Sequence, residues 1–119
     1  MNDGSSQVER DPITRVALDY FEGWFDGDVE RMTRALHPEL VKRGAGERLG
    51  ITTKERMLEL TAAGAGADDG RDRRIDVDVV DVHDDIASVT VRSAVYREYL
   101  HLVRTSEGWR IANALWRPT

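Results

Sequence analysis

Cysteine is absent from the 119 residues of this sequence. The chain therefore has no disulfide framework, no thiolate metal ligand and no thiol nucleophile. Long apolar runs are also missing, since none approaches the roughly 20 residues that cross a bilayer. The first eleven residues are polar and lack the apolar centre of a secretory signal. We therefore expect a cytoplasmic protein without a membrane span.

Basic residues do not exceed acidic residues in this sequence. The formal net charge is −5, and nonspecific nucleic-acid binding needs a basic surface that neutralises phosphates. The sequence has no phosphate-binding loop, no dinucleotide fingerprint and no nucleophile motif. No two histidines have metal-ligand spacing, and the acidic residues lack the glycine and glutamate positions of a calcium loop. We expect no nucleic acid, no cofactor and no metal, which leaves a small molecule or a protein as the partner.

The first part of the chain has the periodicity of a helix. Asp11-Pro12 predicts its start, because aspartate caps free amides and proline suits the first helical position. Residues 1–10 are then a disordered tail, and residues 11–119 form one domain. Seven apolar residues follow at steps of three and four, on one face of the helix: Ile13, Val16, Ala17, Tyr20, Phe21, Trp24 and Phe25.

Two more helices are expected before the sheet. Asp28 can cap a second helix, which His37-Pro38 ends because the residue before proline disfavours helical geometry. Thr52 and Glu55 have the spacing of a capping box, which predicts the start of a third.

From Ile75 onward the apolar period changes to two, which predicts strands. Apolar residues alternate with aspartates as far as Val79, and the alternation breaks at Val80 and Val82, which indicates a bulge. Short turns separate the segments that follow. The sequence predicts an α+β fold with an antiparallel meander after the helices.

Three segments resemble the nuclear transport factor 2-like superfamily, which includes ketosteroid isomerases and polyketide cyclases. They are Tyr20–Asp28 (YFEGWFDGD), Ala35–Leu40 (ALHPEL) and Glu98–Asn113 (EYLHLVRTSEGWRIAN). The last is most similar to the family catalogued as "putative lumazine-binding". The resemblance implies three N-terminal helices packed into a strongly curved antiparallel sheet. It also implies a cone with a pocket at its wide end, and a homodimer formed through the outer face of the sheet.

The resemblance also gives Tyr20 a role. Counted back from Gly27-Asp28, this residue has the position at which steroid isomerases place the tyrosine that donates a hydrogen bond to the substrate oxyanion. The alternative is a core tyrosine whose hydroxyl bonds a backbone carbonyl. The isomerase base would lie near Arg43-Gly44, where no acid stands. The resemblance therefore does not extend to that mechanism.

Two histidines are candidates for moving a proton. His37 ends a helix, where its ring can instead bond a free carbonyl. For His101, a three-residue loop at Ser106–Gly108 gives pairing with Asn113 inside the cone. A two-residue turn at Glu107-Gly108 pairs Leu102 with Asn113 instead. One residue of slip exchanges the two faces of the strand, and the sequence leaves both registers open.

Several aromatic residues are candidates for the wall of the pocket, because flat ligands stack on such rings. Packing in the core explains aromatic residues equally well. The candidate substrate-binding set is Trp24, Tyr96, Tyr99, Trp109, Asn113 and Trp116.

These observations favour a cofactor-independent enzyme that moves a proton on a small hydrophobic cyclic metabolite: an isomerase, cyclase, dehydratase or lyase. A second hypothesis is a noncatalytic binder of a flat aromatic ligand such as a pterin or a flavin-like ring. A third is a dimeric scaffold whose pocket is vestigial. One fold hosts many functions, so the resemblance alone does not decide among them.

Overall fold

The computed structural model of this chain describes residues 3–46, 50–67 and 73–119. Within these ranges the chain forms three helices and six strands, and the first two strands lie between the second and third helices. In order they are α1 (Asp3–Asp26), α2 (Val29–Ala35), β1 (Leu36–Gly44), β2 (Ile51–Thr52), α3 (Lys54–Ala62), β3 (Ile75–His83), β4 (Ile86–Ser93), β5 (Tyr96–Thr105) and β6 (Gly108–Pro118).

All six strands belong to one sheet, in the order β2-β1-β6-β5-β4-β3. The last four strands form the antiparallel meander that the sequence predicts. The prediction of a wholly antiparallel sheet is corrected at one pair, since β1 runs parallel to β6. Most of the chain separates these two strands, so no short turn forces them to be antiparallel.

Helices α2 and α3 begin close to the expected positions, whereas α1 begins well before the predicted start at Asp11-Pro12. Asp28 caps α2 by accepting a hydrogen bond of 3.2 Å from the backbone amide of Arg31. The cap of α3 is Thr53 and not Thr52, because Thr52 pairs with β1. Helix α1 begins at Asp3, so Pro12 lies inside it. The helix therefore includes residues 3–10 of the segment that we expected to be a tail. Met1 and Asn2 lie outside the described residues.

The three helices pack on one face of the curved sheet, and the core fills the space between them. Alternate residues of the central strands face this core, and the residues between them face outward. From residue 10 onward, helix α1 contributes five buried side chains: Ile13, Ala17, Tyr20, Phe21 and Phe25. None of the helices in the described ranges is long and apolar enough to span a membrane.

Two bulges interrupt the pairing within the meander. The first lies in β3 at Val80, as the broken alternation predicts, and shifts the pairing with β4. The second lies in β6 at Ala112, and the shift there places His101 opposite Asn113. A two-residue turn at 106–107 joins β5 to β6. The pairing of His101 with Asn113 therefore forms, but through a two-residue turn and a bulge, and not through the three-residue loop at Ser106–Gly108.

Candidate functional site

A cavity of about 100 Å³ opens between the helices and the inner face of the sheet, partly exposed to solvent. Six segments of the fold contribute to its lining: α1, β1, β2, α3, β5 and β6. The lining residues are Tyr20, Phe21, Trp24, Lys42, Thr52, Met57, Leu60, Tyr96, Glu98 and Trp116. Most of these side chains are aromatic or aliphatic, and two of them, Lys42 and Glu98, are charged.

Both charged residues point inward because of strand alternation. On β5, Glu98 shares the inner face with Leu100 and Leu102, and its residue is only 2% exposed. On β1, Lys42 follows the buried Leu40 by two positions, and 12% of its side chain is exposed. A lysine and a glutamate thus occupy positions that would ordinarily hold core residues.

A chain of hydrogen bonds links these two residues through Tyr20. The Tyr20 hydroxyl donates to Oε2 of Glu98 and accepts a hydrogen bond from Nζ of Lys42. Nζ of Lys42 lies 3.7 Å from the same carboxylate oxygen. The tyrosine therefore holds an ammonium and a carboxylate together inside the core, where a buried charge needs such a partner.

Burial shifts the pKa values of Lys42 and Tyr20. Desolvation lowers the pKa of Lys42, and the charge of Glu98 opposes that effect without reversing it. Desolvation also raises the pKa of Tyr20 well above 10.0, reinforced by the charge of Glu98 and the hydrogen bond to it. The phenol therefore stays protonated at neutral pH, while the lysine loses its proton more readily than in water.

Aromatic rings surround the Lys42 ammonium. Its Nζ lies 5.0 Å from the ring centre of Tyr20, 5.9 Å from that of Trp24 and 5.5 Å from that of Trp116. Ring faces attract a cation at these distances. The indole N–H of Trp24 donates a 3.3 Å hydrogen bond to the Tyr96 hydroxyl, and Tyr96 packs edge-on against Trp116. These contacts fix the aromatic walls around the amine.

Two glycines let the tryptophans take these positions. Gly44 lies beneath Trp116, where a Cβ atom would meet the ring at 3.2 Å. Gly66 is buried beneath Trp24, where a Cβ atom would lie 2.6 Å from the backbone oxygen of Trp24 and also collide with its indole. The segment after α3 therefore fits against Trp24 only because residue 66 has no side chain.

We expect Gly66→Ala to destabilise the protein by about 1–3 kcal/mol, because overpacking of this size forces the backbone to shift. It should also weaken ligand binding, since Trp24 must move. Urea denaturation measures the first effect, and quenching of tryptophan fluorescence by ligands measures the second. Gly50→Ala is the matched control, because a Cβ at Gly50 meets nothing within 4 Å. Equal stability of the two variants would contradict the assigned packing.

The structure brings four of the predicted site residues together. Tyr20, Trp24, Tyr96 and Trp116 all line the cavity. Trp109 is buried in the core at 4% exposure, outside the cavity lining, with the guanidinium of Arg104 stacked 5.6 Å from its ring.

The remaining predicted residues lie elsewhere. His37 accepts a 3.0 Å hydrogen bond from the backbone amide of Glu39 at the start of β1, so its ring nitrogen is engaged locally. Tyr99, His101 and Asn113 are exposed on the outer face of the sheet. His101 and Asn113 line a separate outer groove of about 420 Å³. The pair that the register forms therefore lies outside the cone, on the opposite face of the sheet from Tyr20.

Sequence analysis missed Lys42 and did not assign Glu98 to the site. A signal for Glu98 was present, because it continues the inward period of Leu100 and Leu102 on β5. For Lys42 the signal was weaker, since only Leu36 and Leu40 are buried on β1 and Pro38 between them is exposed. Among the described residues no group of three or more His, Cys, Asp or Glu is arranged to hold a metal ion.

A model of the family described as "Putative lumazine-binding" matches residues 8–117. The chain belongs to this family. The resemblance that its sequence segments indicate is therefore confirmed. A comparison with curated proteins gives no match.

Solved structures confirm the nuclear transport factor 2-like fold. A protein of that type, of unknown function, from Silicibacter pomeroyi is 17% identical, with 100% of each chain covered and a TM-score of 0.78. A ketosteroid isomerase-like protein from Erwinia carotovora atroseptica is 18% identical, with 87% of this chain and 90% of that chain covered and a TM-score of 0.59. A protein of unknown function in the DUF3225 family from Pectobacterium atrosepticum is 24% identical, with 90% and 88% covered and a TM-score of 0.62.

Proposed function

We propose that this protein is a cofactor-independent enzyme of the isomerase or lyase type. It moves a proton on a small cyclic carbonyl compound bound in the aromatic cavity. The observation that carries the proposal is the hydrogen-bonded chain of Lys42, Tyr20 and Glu98 in a cavity that is otherwise mostly apolar. Acidic and basic groups held in one desolvated site are the equipment of general acid–base catalysis.

Each of the three hydrogen-bonded residues has a distinct role in this reaction. Lys42 binds the carbonyl oxygen of the ligand and stabilises the negative charge that develops there. Glu98 accepts the proton from the neighbouring carbon. Tyr20 orients both groups and, when its hydroxyl turns from Glu98 to the ligand, supplies a second donor to the same oxygen. In this scheme Glu98 takes the proton-moving role that the sequence assigns to His37 or His101, since neither histidine lines the cavity.

The size of the cavity limits the ligand. An apolar cavity of about 150 Å³ holds one benzene ring in another protein, and the cavity here is about 100 Å³ and partly open. A single six-membered ring can enter with one edge at the mouth. A molecule of this size can place its carbonyl at Lys42 and its ring against Trp24 and Trp116.

Deuterium exchange tests the proposal without knowledge of the natural substrate. Wild-type protein in D₂O should accelerate exchange of the hydrogens next to the carbonyl of cyclohexanone, followed by proton NMR. Glu98→Gln should slow the exchange about 10²-fold, because the amide keeps the shape of the side chain but does not accept the proton. Equal rates for the wild type and the variant would refute the assigned base.

A noncatalytic binder is the second candidate, and the family description supports it. Trp24, Trp116 and Tyr96 are walls on which a flat ring can stack. A two-ring ligand such as a pterin exceeds the present cavity and would enter with one ring only. Tight quenching of tryptophan fluorescence by a pterin, without any exchange on cyclohexanone, would favour this candidate over the enzyme.

We also propose that two copies of the chain associate through the outer face of the sheet. Large apolar side chains are exposed there: Val41, Tyr99 and Leu115 are 37%, 49% and 43% exposed. Exposed apolar surface of this kind is typical of an interface. We expect Leu115→Glu to convert a dimer to a monomer in analytical ultracentrifugation without changing ligand binding. A monomeric wild type would refute this assembly.

A further inference from the structure

We propose that Lys42 attacks the carbonyl carbon of the ligand and forms an imine with it. This inference rests on the proposed function, and it replaces the contact of Lys42 with the carbonyl oxygen by a covalent bond from Nζ to the carbonyl carbon. It also narrows the substrate class to aldehydes and ketones.

The place of the amine favours attack on a carbonyl. Lys42 is one of only two lysines in a chain that contains 15 arginines. It lies in the cavity lining, with 12% of its side chain exposed, among the rings of Tyr20, Trp24 and Trp116. A desolvated lysine in an apolar pocket reaches its nucleophilic, neutral form more readily than one in water. Burial acts on Lys42 in that direction, since it lowers the pKa of the amine.

The other groups at the site supply the proton steps. Attack requires a neutral amine, and the ammonium can release a proton to the Glu98 carboxylate through the Tyr20 hydroxyl that joins them. The amine then adds to the carbonyl carbon and gives a carbinolamine. Proton transfer from nitrogen to oxygen turns the oxyanion into a hydroxyl, and the proton held by Glu98 then passes through Tyr20 to this hydroxyl, which leaves as water.

Imine formation balances in atoms and charge without any further reactant. Nζ forms a bond to carbon, and the carbon–oxygen bond breaks as water leaves. The proton lent to Glu98 returns through Tyr20. One ammonium and one carbonyl thus give one protonated imine and one water, and the Glu98 carboxylate is restored. A positive nitrogen in place of oxygen acidifies the adjacent C–H, so the imine favours the proton transfer proposed above.

Reductive trapping tests the imine. Wild-type protein is incubated with cyclohexanone and sodium cyanoborohydride near neutral pH, and peptide mass spectrometry locates the cyclohexyl adducts. Lys54 is an internal control, because burial lowers the pKa of its amine too. Its amine donates a 2.8 Å hydrogen bond to the Leu36 backbone and is not part of the cavity lining, so the place in the cavity is what distinguishes Lys42. We expect the adduct on Lys42 to exceed that on Lys54 about tenfold or more.

Two variants separate the two lysines. K54R should leave the adduct on Lys42 unchanged, and K42R should remove the favoured adduct, since a guanidinium stays protonated. Should K42R fail to fold, the comparison of Lys42 with Lys54 in wild-type protein still decides the question. Equal or greater labelling of Lys54 overturns the imine.

The same ketone separates the two proposals. Deuterium exchange without an adduct on Lys42 overturns the imine but keeps the proposed function. An adduct on Lys42 without exchange keeps the imine and refutes the proton-transfer enzyme.

Discussion

Tyr20→Phe protein should exchange the hydrogens next to the carbonyl of cyclohexanone about 10²–10³ times more slowly than the wild type. The hydroxyl that this change removes is the contact shared by Lys42 and Glu98. Without it the proton loses its path between the two groups, and the ligand oxygen loses a donor. Ring packing against Phe21 stays, because the phenyl ring keeps its edge-on contact at 5.2 Å.

Tyr99→Phe is the matched control for this measurement. The chain has three tyrosines, and Tyr99 is the one on the outer face of the sheet, 49% exposed and outside the cavity lining. The same chemical change there should leave the exchange rate as it is. Proton NMR gives both rates, and fluorescence quenching by cyclohexanone shows whether each variant still binds. A Tyr20→Phe rate within the error of the wild type would remove Tyr20 from the mechanism.

Local signals in the sequence predicted most of the fold. The period of α1, the aspartate cap of α2 and the bulge at Val80 each depend on residues close together in the chain. The direction of β1 was not predictable in this way. It depends on pairing with β6, whose residues are some 70 positions further along, and no local pattern specifies a contact over that distance.

The site was predicted in part, for a related reason. Tyr20 and Trp24 were found because a helical stripe of aromatic residues is a strong local signal. Lys42 and Glu98 each look like an ordinary solvated charge when their own strand is considered alone. They become a site only when β1, β6 and β5 are side by side and the tyrosine of α1 lies between them. The same long-range register placed His101 outside the cavity.

Lys42→Met should be the most destabilising single substitution among those considered. It keeps most of the side-chain volume but leaves the Glu98 carboxylate buried without its cation. Removal of one partner from a buried ion pair costs about 3–5 kcal/mol, because the remaining charge stays desolvated. Folded domains are stable by only about 5–15 kcal/mol. Urea denaturation at neutral pH should therefore show a midpoint far below that of the wild type.

The double variant Lys42→Met/Glu98→Leu distinguishes a functional pair from a stabilising one. Apolar side chains in place of both partners remove the desolvation penalty, and such replacements are often neutral or stabilising by about 1–4 kcal/mol. The buried Tyr20 hydroxyl loses both of its partners in this variant, which costs about 1–3 kcal/mol. We therefore expect the double variant to recover part of the stability lost by Lys42→Met, yet to show no deuterium exchange and no imine at position 42. A double variant as unstable as the single one would mean that the ion pair is needed for folding. Recovery of stability would instead indicate that the fold does not require this buried charge, and the loss of exchange in the same variant would assign the pair to the chemistry in the cavity.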